Sequence, residues 1–71
     1  MELYIWKCVF KITDEMSDAE PEVITQEIVA PNMDMETATK YMWYHALHQW
    51  PQNYITINLQ HIQKVSIFGV I

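Results

Sequence analysis

The sequence predicts an α+β fold: a small antiparallel sheet of three or four strands, in the order β-β-α-β(-β), packed on one amphipathic helix. Three observations predict it. Asp34–Trp50 carries apolar residues at helical spacing, between an N-cap residue and a proline. Leu3–Ile12 alternates with period two and is rich in aromatic and β-branched residues. Val23–Ala30 and the segment from Tyr54 onward repeat that strand signature on either side of the helix. A sheet needs cover on one face and a helix along one stripe, so the two layers cover each other. The 71 residues are read as one domain, 1–71.

The helix explains itself residue by residue. Asp34 is a good N-cap, because its carboxylate accepts from free backbone N–H groups in the first turn. Glu36 suits the positive end of the helix dipole. Met33 is placed to staple against Ala38, and Pro51 ends the helix because the residue before a proline avoids helical dihedrals. Met35, Ala38, Thr39, Met42, Trp43, Ala46 and Trp50 fall on one stripe and are the expected core. The opposite side holds Glu36, Thr37, Lys40, Tyr41, Tyr44, Leu47 and His48. A plainly solvated face has no need of two tyrosines and a leucine, whereas tyrosine, apolar with a polar tip, suits an interface.

In the first strand, Tyr4, Trp6, Cys8, Phe10 and Ile12 share one face and should cover the helix, with Lys7 and Lys11 pointing away. Thr13–Pro21 reads as a hairpin loop. It gathers Asp14, Glu15, Asp18 and Glu20, with Glu22 just beyond. The ordinary reading is a solvated turn; the functional one is an acidic arm for a basic partner. A Ca²⁺ loop is excluded by spacing, since no Asp-x-Asp-x-Asp-Gly pattern is present. Val23–Ala30 should pair antiparallel with the first strand, and Pro31-Asn32 should break it. Gln52-Asn53 connect to a strand at Tyr54–Leu59. Leu59, Ile62 and Val65 then lie three apart, which predicts a tight turn or bulge near Gln60-His61. Ser66–Ile71 resumes as the same bent strand or as a fourth one. Its apolar end, Val70 and Ile71, is expected to be docked. Leu3, Ile5, Val9 and Val23 or Val29 would lie on the second face of the sheet, a further contact surface.

Composition narrows the chemistry. The net charge is −5, with four Lys and Arg against nine Asp and Glu. That disfavours direct nucleic-acid binding, which needs cations on phosphates, and suits a basic protein surface. One cysteine allows no internal disulfide and fits a reducing compartment. No apolar run is long enough for a bilayer and no leader pattern is present, so a cytoplasmic protein without membrane contact is expected. His45, His48, His61 and Cys8 are the candidate metal ligands. They lack a second spaced pair, and neither metal nor cofactor is expected. Cys8 on an apolar strand has nothing to activate it. A lone glycine, Gly69, leaves no phosphate-cradling loop. The chain is therefore read as a non-enzyme.

Ile28-Val29-Ala30 followed by Asp34-x-Glu36-x-Ala38 resembles the strand-to-helix junction of many small phage-encoded β-β-α proteins. The resemblance covers about half the chain. With its length and acidity, the chain is similar to the small host-takeover and anti-defence proteins of phages. The resemblance implies binding to a host protein as an inhibitor, in the host cytoplasm, and transfers no functional residue. The expected partner-binding residues are Tyr41, Tyr44, Leu47 and His48, with Asp14, Glu15, Asp18 and Glu20 steering the encounter. Two alternatives stand beside this. One is a homodimer or higher homo-oligomer, a structural or scaffold subunit using the same face. The other is a small-ligand binder with a pocket lined by Trp6, Trp43, Trp50 and the histidines.

Overall fold

The computed structural model describes residues 1–50 and 55–71. Its elements are β1 (Glu2–Asp14), β2 (Glu22–Pro31), α1 (Met35–Gln49) and β3 (Ile55–Val70). They form a three-stranded sheet, ordered β2-β1-β3 and antiparallel throughout, with one helix against it: an α+β fold.

β1 is central because its sequence suits burial. Its even face supplies Trp6, Cys8, Phe10 and Ile12, all buried, while Lys7 on the odd face stays in solvent. Register carries this pattern to both neighbours. Trp6 lies opposite Ile28 and Tyr4 opposite Ala30 on β2. Phe10 lies opposite Leu59 and Cys8 opposite Ile62 on β3. Paired residues share a face, so one apolar layer forms across the three strands. β2 runs through Pro31, which was expected to break it. Pro31 pairs with Leu3 at the last position of an edge strand, where a missing N–H is tolerated. The hairpin loop correspondingly shrinks to residues 15–21, because β1 continues to Asp14.

Among the described residues the chain after the helix forms one strand, β3. Its register against β1 shifts three times, between Val9 and Phe10, Ile5 and Trp6, and Leu3 and Tyr4. Gln60, Val65 and Phe68 are the β3 residues these shifts leave without an opposite number. The first lies where the three-residue spacing predicted a bulge. Tyr54, Pro51 and the Gln52-Asn53 connection lie outside the described residues.

α1 lies obliquely over the sheet. Met35 and Thr39 share a groove with Leu59–Ile62 of β3. Tyr41, His45 and Gln49 share one with Gln26–Val29 of β2. Only Ala38, Met42 and Ala46 are fully buried, one i, i+4 row. Met35, Thr39 and Trp43, assigned to the core from spacing, are exposed. The physical reason is the pair of alanines. They let the helix sit close on Trp6, Phe10 and Ala30, and a close helix buries a narrow arc. Lys64 closes the linker side: its ammonium donates to Asn32 Oδ1 at 2.9 Å and lies 4.8 Å from the Tyr4 ring centroid. The Trp6 indole N–H donates to the Pro31 carbonyl at 3.3 Å.

The helix ends are capped. Asp34 Oδ2 accepts from the Thr37 N–H at 3.3 Å, and the Trp50 N–H donates to the Ala46 carbonyl at 2.9 Å. Hydrogen bonding from Thr37, side chain first and backbone second, holds the Asp34 carboxyl below its ordinary pKa. A lowered folded pKa means a contribution present above the unfolded value of about 3.9 and lost as pH falls through the folded one. Asp34→Ala should therefore lower the melting temperature at neutral pH, and the gap to wild type should close in acid. Circular-dichroism melts across pH check this; an equal gap at both ends would show that the cap is not electrostatic.

Fifteen helical residues span about 22 Å, half of the 44 Å long axis of the molecule. Ile67 and Val70, toward the far end of β3, are more than half exposed, so the helix does not cover them.

Candidate functional site

The outer side of α1 is the candidate site. The helix packs through Ala38, Met42 and Ala46, and its large aromatic side chains lie off that row. They consequently face outward: Tyr41, Trp43 and Tyr44 are 43%, 42% and 59% exposed. Trp43 and Tyr44 stand edge to face, ring centroids 5.8 Å apart, an arrangement that holds both rings in place. Tyr41, Tyr44, His45 and His48 line a shallow cleft of about 270 Å³ on the β2 side. Lys40 and Glu36 pair loosely across one turn at 3.8 Å, both in solvent.

Of the residues expected to bind a partner, Tyr41, Tyr44 and His48 are brought together. Leu47 is half-buried and does not line the cleft. Asp14, Glu15, Asp18 and Glu20 are all exposed at the β1–β2 turn. Two of them also have local work. Asp14 Oδ1 accepts from the Met16 N–H at 3.0 Å, closing an Asx turn. Glu15 Oε1 accepts from the Thr56 hydroxyl at 2.7 Å, tying the turn to β3.

Sequence reasoning missed three contributors. Trp43 was placed in the core by its period. His45 is a candidate from sequence only as a metal ligand or as lining of a small-ligand pocket, not as part of a partner-binding face. Gln26 was not singled out, yet it faces the helix side of β2 opposite Cys8. Its Oε1 is buried and has no hydrogen-bond partner among the described residues, and the residue lines a groove of about 410 Å³ with Tyr41, His45 and Gln49. A buried acceptor in that state wants a donor. A polar residue at a core-facing strand position was the available signal.

Among the described residues the three tryptophans do not share a pocket. Trp6 is buried beneath the linker, Trp50 packs edge-on to Phe10 with centroids 5.7 Å apart, and Trp43 stands in solvent. Among the described residues no group of three His, Cys, Asp or Glu could hold a metal ion. Cys8 is buried, and burial pushes its thiol up to about 11, so no thiolate is available at neutral pH. Among the described residues no helix is long and apolar enough to cross a membrane.

Comparison with protein-family models, with curated proteins and with solved structures finds no match for the chain.

Proposed function

We propose that the protein is a non-enzymatic protein-binding module that occludes a surface of a larger protein, an inhibitor or modulator of a host or defence factor. The observation carrying this is the outward aromatic row of α1, Tyr41, Trp43 and Tyr44, on a helix whose inner side is already satisfied by Ala38, Met42 and Ala46. Exposed aromatics beside an open cleft are the material of binding hot spots. The partner presents a basic surface. The net charge of −5 and the acidic turn attract it over distance, which raises the association rate more than the affinity. Gln26 Oε1 offers an inserted N–H an acceptor, and the Tyr41 and Tyr44 rings offer a cation a face. A buried, protonated Cys8 supports the non-enzymatic reading.

Affinity capture from host lysate, with mass spectrometry, tests the proposal. Wild type should retain a defined partner. Tyr44→Ala should weaken its binding by roughly thirtyfold or more, the scale of a hot-spot truncation of about 2 kcal/mol. Capture of nothing, or of the same protein equally by Tyr44→Ala and Trp43→Ala, would refute it.

A further inference from the structure

β3 is an edge strand of sixteen residues, and the two edges of this sheet are unlike. β2 carries Glu22, Glu27 and a terminal Pro31, the charges and proline that discourage strand pairing. β3 carries no carboxylate. Its single charged side chain, Lys64, is engaged by Asn32 and the Tyr4 ring. From Val65 onward the strand reads Val-Ser-Ile-Phe-Gly-Val: uncharged, proline-free and rich in β-formers, the composition of a segment that adds to another strand.

The helix leaves the same segment uncovered. Val65, Ile67, Phe68 and Val70, with Met1 and Ile71 beside them, are 50% to 80% exposed. Together these six side chains leave on the order of 700 Å² uncovered, close to the ~800 Å² each partner gives to a standard interface. We infer that this half of β3 pairs with the same strand of a second copy about a two-fold axis, antiparallel, joining the two three-stranded sheets into one.

Charge arrangement favours that occupant. Copies with a net charge of −5 repel unless their carboxylates are kept apart. Asp14 lies opposite Ile55 and Glu2 opposite Val70, so the acidic turn and the apolar end are at opposite ends of β1. Thirteen strand residues put them roughly 40 Å apart, several times the Debye length of about 8 Å at physiological salt. Glu2, the side-chain carboxylate at that end of β1, accepts from the Tyr4 hydroxyl at 2.7 Å. A two-fold pairing through β3 thus turns both acidic ends outward. The register shifts at Val65 and Phe68 limit the paired ladder to a short central stretch, with side-chain burial supplying the rest. The helix face takes no part, so this inference and the docking proposal stand or fall separately.

Sedimentation velocity over micromolar to submillimolar concentration tests it. Wild type should sediment as a dimer whose β3 amides exchange more slowly as concentration rises. Phe68→Lys and Ile67→Lys should each weaken the dimer by at least about tenfold. Both side chains are more than half exposed, so the far-UV spectrum should be unchanged. The paired change Trp43→Ala, Tyr44→Ala should leave the dimer intact. A wild type that stays monomeric overturns the inference, as does a dimer that survives both lysines, one broken by the helix variant, or assembly that grows without closing. A monomer that still captures a partner through Tyr44 would leave the docking proposal standing.

Discussion

Phe10→Ala should cost about 3–5 kcal/mol of folding stability, the usual range for removing a buried ring. Phe10 has no exposed surface, lies between Ile24 and Leu59 in the sheet and meets the Trp50 ring edge-on. Its loss opens a cavity where strand layer and helix end meet. The helix cannot sink to fill it, since Ala38 and Ala46 already hold the backbone close. A domain of this length has roughly 4–11 kcal/mol in total, at 0.05–0.15 kcal/mol per residue. The variant should therefore lie near its unfolding midpoint in mild denaturant. Urea titration followed by circular dichroism measures the shift. Trp43→Ala is the comparison: it removes a larger ring from the surface and should move the midpoint little. A Phe10→Ala shift no larger than that of Trp43→Ala would mean that the core is elsewhere.

Cys8 should react with iodoacetamide at neutral pH about a hundredfold more slowly than a cysteine of ordinary pKa. Burial raises its thiol from 9.0 to about 11, two decades in thiolate fraction. Blocked access to a fully buried sulfur slows it further. The same shift fixes a pH dependence. The folded state keeps its proton where the unfolded chain has lost it, so the stabilising effect is complete below the unfolded pKa. It is lost as pH rises from about 9 through about 11. Cys8→Ala should flatten that part of the stability–pH curve. Tyr4, raised chiefly by donating to Glu2, titrates in the same sense and would leave a residual slope in the variant. Rapid alkylation of the native protein, or a curve unchanged by Cys8→Ala, would contradict a protonated core thiol.

Much of this architecture was legible because period and burial agree. The even residues of Leu3–Ile12 read as one face and pack as one face, since a central strand must satisfy both neighbours from the same side. Asp34 read as a cap because its carboxylate had only one local use. The bulge at Gln60 showed as a slip in alternation. The helix was less legible. Spacing tells which residues share a side, but the width of the buried arc depends on how closely the helix approaches, a property of Ala38 and Ala46 acting with the sheet. Trp43 was misplaced for that reason, and its move into solvent enlarges the aromatic face on which the binding proposal rests. Pro31 was misjudged because its effect depends on edge or centre, which strand order alone decides. The groove at Gln26 needed the helix and β2 in place before a polar strand residue could be seen as an orphaned acceptor.

The position of β1 has a kinetic consequence. It precedes both of its partners and lies between them in the sheet, so its two neighbours arrive at very different times. The β2 partner follows a seven-residue turn and can zip up locally. The β3 partner requires Glu2 to find Val70, after the whole helix has intervened. Closure of so wide a gap gives a high contact order, and folding slows accordingly. During synthesis the early hairpin waits on the ribosome with one side of its middle strand bare. β3, emerging after the helix, both completes the core and covers that side.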